Sequence, residues 1–428
     1  MSNQPLSTER TPQRAMSGIR IVEVGRFVTG PEAAVLLADL GAEVIKVESV
    51  EQGDPFRQWG AGGYAPNFCS LNRNKKSLAL NFAVPEGLAV LLALLDTADV
   101  VIENFRPGQT ERWGWGYATL AARNPRLIYC GISGFGRTGP YVDRPGYDTI
   151  GVAMSGLLSV LSDLEDPQPM GISLSDHLTG IYAAYGIMGA LFARERTGVG
   201  QRVDTSLLQA TVSFMSENIA TYYTTGEVPT QAKRARGAGV WAFVAGDGKP
   251  FVIHLSSPSK FWESLAKVVG HPEWITDERF SSRGARRANY DELKALLGNE
   301  FKTNTREHWL DTLVNADVPC APINTLEEVF ADPQVNALGM HRTIIHPIKG
   351  PVELGAPGVS LSDTPLEWEL APPMLGEHSG SILESLGYDH DTIVKLSKNN
   401  IVGGIEQAEP TQAELTSSLE PKQERDSS

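Results

Sequence analysis

Asp176 is a carboxylate at the point where the sequence predicts a long helix to begin. From residue 173 to residue 198, apolar residues recur at spacings of three and four, which predicts one mostly buried helix. Ser173 stands three residues before Asp176, the spacing of a capping box. A carboxylate in this first turn either stabilises the helix through its dipole or, held ionised by backbone N–H groups, acts as a nucleophile. The helix itself leaves both interpretations open.

Polar residues also follow several of the predicted strands. They lie at residues 25–31, at residues 104–106, at Arg112 and at residues 147–148. Taken singly, each of these positions is more often a solvated loop than a ligand contact. Because the carboxyl ends of parallel strands meet at one edge of a sheet, their joint position favours a pocket.

The elements that position these residues alternate between strand and helix. Strands are predicted at residues 19–24, 43–48, 77–81, 99–103 and 127–133, with helices that begin near Pro31, Pro85 and Tyr117. This order indicates βαβ units and an α/β fold with an open, mainly parallel sheet. A further strand is predicted at residues 201–208, followed by a helix to about residue 223.

The stretch GFGRTG at residues 134–139 matches the dinucleotide fingerprint directly after a predicted strand. Pro140 and the loop-forming residues after it take the place of the helix whose N-terminus would hold a pyrophosphate. We therefore expect a glycine-rich turn rather than a dinucleotide site. The sequence has no GxxxxGK[ST], GxSxG or HExxH motif.

Composition changes after residue 224. Residues 225–239 are predicted to form a flexible connector, and two strands at residues 240–245 and 251–255 flank a glycine-rich hairpin turn. With the helices predicted at residues 260–269, 290–301 and 305–314, we expect a small α+β domain over residues 225–325, after a large domain over residues 18–224. Three further segments complete the prediction, namely a return connection at residues 326–400, which includes a helix at 379–386, and disordered tails at residues 1–17 and 401–428.

The overall charge excludes some classes of partner. The 428 residues carry 37 basic and 51 acidic side chains, a net charge of −14, which argues against a nucleic-acid or membrane-surface binder. Three widely spaced cysteines indicate free thiols in a reducing compartment, and the histidines show no metal-ligand spacing. No apolar run has the length of a membrane span, and the first 17 residues lack the apolar segment of a secretory signal. We therefore expect a cytoplasmic protein without a structural metal.

Several segments of the chain together form a recognisable pattern. They are IVEVGRFVTGP, LLADLGAEVIKVE, NRNKKSLALN, IENFRPG, GISGFGRTGPYVDRPGYD, the predicted Asp176 helix, ERTGVGQRVDTSLL, VPCAPI and LGEH. This pattern resembles the class III CoA-transferase family, which includes formyl-CoA and carnitine CoA-transferases and 2-methylacyl-CoA racemases. The resemblance extends from residue 18 to about residue 396.

The resemblance implies a fold and a set of functional residues. The family fold is a homodimer of interlocked rings, in which each chain has a Rossmann-like large domain and a smaller domain. The family's nucleophilic aspartate falls on Asp176, and its acyl-covering glycine loop falls on Gly237 and Gly239. Its CoA pocket falls on Val28, Thr29, Leu80, Asn81, Asn104, Phe105, Arg106 and Arg112. CoA is then a substrate, and no metal or further cofactor is implied.

One departure from the family pattern bears on the reaction. Family racemases carry an acid–base histidine where this sequence has Tyr147, and a phenol is a poor substitute near neutral pH. This favours CoA transfer, with Asp148 orienting the acceptor acid. A 2-methylacyl-CoA racemase and a CoA-binding protein without turnover remain as alternatives.

The sequence leaves both acids of the transfer open. A second carboxylate could pair with Arg137, Arg144, Arg234 or Arg236, although each is more often a surface charge. These arginines point towards dicarboxylates, with succinyl-CoA as the candidate donor.

Overall fold

The computed structural model describes residues 14–255 and 259–405. They belong to two compact units. The first contains the chain up to Tyr147, Leu174–Ala210 and the chain from Arg342, and the second contains Asp148–Ser173 and Thr211–His341. Residues 148–173 and 211–224, which the sequence assigned to the large domain, thus lie in the second unit. Most of both predicted tails, residues 1–13 and 406–428, lies outside the described residues.

The first unit is built on a parallel sheet. Among the described residues this sheet has six strands in the order β3-β2-β1-β4-β5-β6. The strands are β1 (Arg20–Glu23), β2 (Glu43–Glu48), β3 (Lys75–Ala79), β4 (Val100–Glu103), β5 (Ile128–Ser133) and β6 (Arg202–Ser206). The predicted open parallel α/β sheet is therefore confirmed. Because the chain leaves β1 to one side for β2 and returns to the other side for β4, the strand order reverses between β1 and β4.

Helices cover both faces of this sheet. On one face, Val22, Ile45 and Leu78 pack against helices that include Pro85–Asp96 and Tyr117–Arg123. On the other face, Val44 and Ile102 pack against the helices Thr29–Asp39 and Leu174–Thr197. The helices of this unit are Thr29–Asp39, Pro66–Asn72, Pro85–Asp96, Gln109–Arg112, Tyr117–Arg123, Leu174–Thr197, Ser379–Ser385, His390–Lys398 and the first half of Leu207–Phe214, with short 3₁₀ turns at Pro55–Trp59 and Ala61–Gly63.

The helix Leu174–Thr197, here called the Asp176 helix, is not mostly buried as predicted. Its small residues, among them Ala183 and Ala190, pack in the core beside the helix Thr29–Asp39. Four large apolar residues on the same helix are 41–69% exposed, namely Ile181, Tyr185, Met188 and Phe192. Apolar residues recur on two sides of the helix, and among the described residues the side that carries mostly small residues packs against the sheet layer.

The second unit has its own core and a three-stranded antiparallel sheet among its described residues, formed by β7 (Val240–Val244), β8 (Pro250–His254) and β9 (Cys320–Pro322). The predicted hairpin is confirmed. Aromatic residues such as Trp241, Phe251 and Trp262 fill the core. The helices are Asp148–Met154, Leu157–Leu161, Ser216–Thr225, Gln231–Ala238, Ser259–Val268, Arg283–Ala288, Tyr290–Phe301, Arg306–Asn315, Leu326–Ala331, Pro333–Ala337 and the 3₁₀ turn Pro272–Ile275, with the second half of Leu207–Phe214.

Three segments are more ordered than the sequence predicted. The expected connector at residues 225–239 contains the helix Gln231–Ala238, and the expected connection after residue 326 contains helices and a two-stranded sheet of β10 (His341–His346) and β11 (Gly350–Gly355). Within the predicted C-terminal tail, Val402 pairs with Leu80 after β3. No helix in the described ranges has both the length and the apolar character to cross a bilayer.

Candidate functional site

A cleft of about 420 Å³ opens at the carboxyl ends of β1 to β4 in the first unit. It spans the reversal of strand order between β1 and β4, where ligands of open α/β sheets bind. Of the predicted CoA residues, Leu80, Asn81 and Phe105 line it. Arg26, which belongs to the predicted polar stretch at residues 25–31, also lines it, whereas sequence reasoning missed Phe82 and Trp113, each of which stands next to a predicted CoA residue.

The turn at residues 25–27, here called the β1 turn, forms one wall of this cleft and is held by side chains. Asn104, at the end of β4, accepts the N–H of Arg26 at 2.9 Å through Oδ1. The Asn104 amide nitrogen donates to the Arg26 carbonyl at 2.7 Å and to Oγ1 of Thr29 at 3.0 Å. Two predicted ligand residues, Asn104 and Thr29, therefore bond to each other and fix the turn.

Asp54 holds the other side of the β1 turn. Its Oδ1 accepts the N–H of Phe27 at 3.1 Å and the N–H of Phe56 at 3.0 Å. Its Oδ2 lies 2.9 Å from Nζ of Lys46, which also donates to the Gly25 carbonyl at 3.0 Å. Phe27 has a φ of 62°, a left-handed conformation that is costly for a bulky side chain. The surrounding bonds impose this strained backbone.

A fully buried ion network lies beneath the turn. Glu23, at the end of β1, accepts from Lys46 at 2.7 Å and from Lys75 at 2.7 Å, one lysine on each carboxylate oxygen. Burial lowers the pKa of Lys75 to about 8, although its ammonium remains bonded to Glu23. Because buried ions are costly unless they are paired, the network ties the end of β1 to β2 and to the start of β3 in one arrangement.

Glu48, at the end of β2, belongs to a second buried ion pair. Both of its oxygens accept from Arg57, each at 2.7 Å, and Oε1 also accepts from Oγ of Ser77 at 2.7 Å. Burial raises the pKa of Glu48, but the hydrogen bonds and charge of Arg57 outweigh that effect and hold the pKa below its usual value. Arg57 therefore neutralises the charge of Glu48, which lines the cleft.

Glu103, at the end of β4, is buried without such a cation. Its Oε2 accepts the N–H of Phe105 at 2.8 Å and its Oε1 accepts from the Tyr129 hydroxyl at 3.2 Å. Burial raises the pKa of Glu103 to about 7. Glu103 thus orients the backbone that carries Phe105 into the cleft.

Aromatic rings form the far wall of the cleft. The Phe105 and Trp113 rings meet edge to face with centroids 4.9 Å apart, and Phe82 meets Trp113 at 5.8 Å. The Arg26 guanidinium lies 5.0 Å from the Phe105 ring centroid. Such a wall can stack a flat heterocycle beside a cation that can pair with phosphate.

The remaining predicted CoA residues lie around this cleft rather than among the residues that line it. Val28 is buried behind the β1 turn, and Arg106 and Arg112 are exposed on the segment after β4. Both arginines are accessible to solvent on the side of the molecule where β4 ends.

Asp176 is the third residue of its helix and is half-buried. Ser175 before it is buried, and its carbonyl accepts from Oγ1 of Thr179 at 2.7 Å. At Gly180, a Cβ would lie 2.5 Å from Cγ of Glu32 and 3.1 Å from the Thr29 carbonyl. Glycine therefore lets the start of the Asp176 helix approach the start of the helix Thr29–Asp39, which leaves the β1 turn.

The other predicted site residues lie outside this cleft. Asp148 begins the helix Asp148–Met154 in the second unit, and Tyr147 before it is 68% exposed. Gly237 and Gly239 line a separate pocket in the second unit. The roles of Asp148, Gly237 and Gly239 towards Asp176 stay predictions. Gly134–Gly139 lie in a loop without a following helix, as expected.

Metal chemistry has no evident site in the part of the chain that the structure describes. Across residues 14–255 and 259–405, no group of three or more histidine, cysteine or acidic side chains could hold a metal ion. The three cysteines are free thiols, and Cys69 and Cys130 are buried.

Comparisons with known proteins agree with this architecture. Residues 16–379 match the family described as CoA-transferase family III. A succinate–glutarate CoA-transferase of Agrobacterium fabrum is 38% identical, and the alignment covers 87% of this chain and 95% of that protein. A succinyl-CoA:glutarate CoA-transferase of Homo sapiens is 35% identical, with 91% of this chain and 90% of that protein covered.

The fold also resembles a solved structure. A CAIB/BAIF family protein from Brucella suis superposes with a TM-score of 0.79 and 36% sequence identity. The superposition covers 87% of this chain and 100% of the Brucella suis chain. The resemblance thus extends over both units.

Proposed function

Because the chain belongs to CoA-transferase family III, we propose that it moves CoA from an acyl-CoA donor to a carboxylic acid through covalent intermediates on Asp176. The observation that carries this proposal is the position of Asp176. It lies in the first turn of a 24-residue helix whose start packs beside the helix that leaves the β1 turn. A carboxylate at the positive end of a helix is stabilised in the ionised form that attack requires.

The proposed reaction needs no net proton transfer. The Asp176 carboxylate attacks the donor thioester carbonyl, and the C–S bond of the adduct breaks, which releases CoA as a thiolate and leaves a mixed anhydride of the donor acid with Asp176. The thiolate attacks the aspartyl carbonyl, which forms an aspartyl-CoA thioester and releases the donor acid. The acceptor carboxylate then expels the thiolate to form a second anhydride, and attack of the thiolate on the acceptor carbonyl yields the new acyl-CoA and restores Asp176.

The cleft at the ends of β1 to β4 is the proposed CoA site. Its aromatic wall offers Phe105 and Trp113 to the adenine, and Arg26 is a cation beside them. The exposed Arg106 and Arg112 are available for the phosphates of CoA. The buried ion network keeps the β1 turn rigid, so that little ordering cost falls on CoA binding.

Dicarboxylic acids are the proposed substrates, with succinyl-CoA as donor. The names of the Agrobacterium and human relatives support this choice, since the first names succinate and glutarate and the second names succinyl-CoA and glutarate. Racemisation is the less favoured reaction because Tyr147 occupies the position of the racemases' histidine.

We also propose a homodimer of interlocked chains in the cytoplasm. The exposed stripe on the Asp176 helix, Ile181, Tyr185, Met188 and Phe192, supports a second copy as the element that covers it. The free thiols support a reducing compartment.

The experiment that tests the proposal replaces Asp176 with alanine. Transfer from succinyl-CoA to glutarate should fall by about 10³-fold or more, because the nucleophile is lost, while CoA binding stays within about twofold. Asp166→Ala, which removes an exposed carboxylate elsewhere, serves as the control and should retain full activity. If Asp176→Ala kept more than about a tenth of the transfer rate, the aspartyl mechanism would be wrong.

A further inference from the structure

A chain of hydrogen bonds connects the buried carboxylate of Glu103 with the surface of the first unit. The Tyr129 hydroxyl donates to Glu103 at 3.2 Å, and Oγ1 of Thr110 lies 2.9 Å from the same hydroxyl. Thr110 in turn donates to Oε2 of Glu111 at 3.1 Å. Because Glu103 is buried and Glu111 is exposed, the chain runs from the interior to solvent.

This chain fixes both segments of the aromatic wall of the cleft. The N–H of Phe105 donates to Oε2 of Glu103 at 2.8 Å. Thr110 belongs to the short helix Gln109–Arg112, which leads directly into Trp113. Phe105 and Trp113 both line the cleft. One buried carboxylate therefore holds the backbone of Phe105 directly and the segment that carries Trp113 through two hydroxyl groups.

The carboxylate of Glu103 forms no ion pair within the described part of the chain. Arg202, on β6, faces it, but Nε of this arginine donates to both oxygens of Asp204 at 2.9 Å. At Gly131, between these side chains, a Cβ would lie 3.1 Å from Oε1 of Glu103 and 3.2 Å from Nη2 of Arg202. The titratable and charged groups that face Glu103 are Glu111 of the short helix, Tyr129 and Cys130 of β5, and Arg202 and Asp204 of β6.

An ionised side chain at this position is costly for the fold. Burial removes water from the carboxylate and raises the pKa of Glu103 to about 7. A glutamine can accept from Phe105 through its oxygen and donate to Tyr129 through its nitrogen, without any buried charge. The hydrogen bonds alone therefore do not require an ionisable side chain.

We propose that Glu103 is a positioning residue for the cleft, whose ionised carboxylate fixes the aromatic wall and thereby strengthens the binding of CoA. This assignment rests on the proposed function. A carboxylate accepts the Phe105 N–H in a charge-assisted bond, which is stronger than a bond to a neutral acid. A wall that is fixed before CoA arrives lowers the cost of ordering it on binding.

Protonation of Glu103 changes both connections to the wall. Its Oε2 accepts from a backbone N–H, which cannot accept in return, so the proton lies on Oε1 and faces Tyr129. Glu103 then donates to Tyr129, Tyr129 to Thr110 and Thr110 to Glu111, and the direction of the chain is fixed. The Phe105 N–H is left with a neutral acceptor. The contribution of Glu103 to CoA binding should therefore fall as pH drops below about 7.

Calorimetric titration of the full chain with CoA at pH 6 and pH 8 tests the proposal. Glu103→Gln should bind CoA about fivefold more weakly than the unmodified protein at pH 8, and within about twofold of it at pH 6. The ratio at each pH removes the titration of CoA itself, which both proteins meet alike. Because the variant lacks the buried charge, it should be at least as stable at pH 8, and unfolding would not explain weaker binding.

Tyr129→Phe tests the link to the short helix. It retains the bond between Glu103 and Phe105 but removes the hydroxyl that contacts Thr110, and should weaken CoA binding about threefold at pH 8. Tyr117→Phe is the matched control. The Tyr117 ring lies 5.8 Å from the Tyr129 ring, no hydrogen bond of its hydroxyl is found among the described residues, and the variant should bind like the unmodified protein.

Steady-state kinetics separate positioning from chemistry. At pH 8, Glu103→Gln should raise the KM for succinyl-CoA and leave kcat unchanged. The proposal would be overturned by equal CoA affinity in this variant and the unmodified protein at pH 8, by an equal loss at pH 6 and pH 8, or by a lower kcat at unchanged KM. CoA binding with the expected ratios but without any transfer would contradict the proposed reaction and leave the positioning role intact. A protein that binds no CoA would overturn both.

Discussion

Two regions of the molecule concentrate charge but balance it in opposite ways. One is the β1 turn, and the other is the arginine pocket of the second unit, which is lined by Arg236, Arg283, Arg286 and Arg287. At the turn, Glu23 and Asp54 are each within 2.7 to 2.9 Å of a lysine, and the backbone is bonded to side chains on both sides. In the pocket, Arg283 and Arg286 are bonded to carbonyls instead. The carboxylates at the turn are therefore paired with lysines, whereas these two arginines donate to backbone carbonyls.

This difference distinguishes polar residues that are bonded to paired partners within the protein from charged residues that have no carboxylate partner among the described residues. Asn104 is polar and lies beside the CoA cleft, yet both ends of its amide are occupied by Arg26 and Thr29. Arg287 is exposed, and no hydrogen bond of its side chain is found among the described residues; Lys233 chiefly lowers the pKa of Glu227, and the charge of Arg287 adds to that effect. Removal of a balanced group should cost stability, and removal of an unbalanced one should not.

Asp54→Ala is expected to remove bonds that hold the β1 turn and to lower the free energy of unfolding more than the other variants. It leaves Lys46 short of a carboxylate and the N–H groups of Phe27 and Phe56 without their acceptor. The free energy of unfolding should fall by about 3–5 kcal/mol, as for other buried ion pairs that lose one partner. Urea denaturation measures this loss. Asp54→Asn retains one acceptor oxygen and should lose less, so equal losses in both variants would contradict the account.

Glu103→Gln should show a dependence of stability on pH that is opposite in direction to the one expected for Glu48, whose pKa is lowered. The folded-state pKa of about 7 lies above the usual value of 4.5, so the folded protein binds the extra proton between these values and loses stability as pH rises through that window. Relative to the unmodified protein, the variant should gain up to about 3 kcal/mol between pH 4.5 and pH 8. Unfolding curves across that range test it, and a constant difference would refute it.

Asn104→Ala should disturb the turn less than Asp54→Ala. It removes the acceptor of the Arg26 N–H and the donors to Arg26 and Thr29, which predicts a loss of about 1–3 kcal/mol. Because the β1 turn lines the cleft, the KM for the CoA donor should rise while kcat changes little. A fall in kcat alone would assign Asn104 a role in the chemistry instead.

Arg287→Gln is expected to change the free energy of unfolding least, and to raise it rather than lower it. Arg283 and Arg287 stand four residues apart on one short helix, where like charges destabilise by about 0.2–0.5 kcal/mol. The variant should therefore be slightly more stable, and the gain should shrink in high salt. A loss of stability at low salt would show that Arg287 is balanced after all.

Much of the fold follows from hydrophobic periodicity, and the exceptions have identifiable causes. β2 lies where it was predicted, but β3 begins at Lys75 rather than at residue 77. Adjacent lysines argue against a buried strand until Glu23, more than 50 residues earlier in the chain, is known to bond Lys75. The sequence likewise predicts a connector where the helix Gln231–Ala238 lies, because this polar segment lacks the apolar residues whose spacing would indicate a helix.

The candidate site was only partly predictable. Leu80, Asn81 and Phe105 line the cleft as expected, and Phe82 lies directly beside them in the sequence. The resemblance assigns Asn104 to the CoA pocket, and that role stays a prediction. In the structure its amide bonds to Arg26 and Thr29, which follow another strand, and pairings across the sheet are not visible in a single sequence.

The most direct test of the account is covalent capture at Asp176. The purified protein is incubated with succinyl-CoA, treated with hydroxylamine and digested for mass spectrometry. The account predicts a hydroxamate on the peptide that contains Asp176, formed in the unmodified protein and lost in Asp176→Ala. Transfer to an acceptor acid with no adduct on that peptide, or with an adduct on another residue, would contradict the aspartyl mechanism.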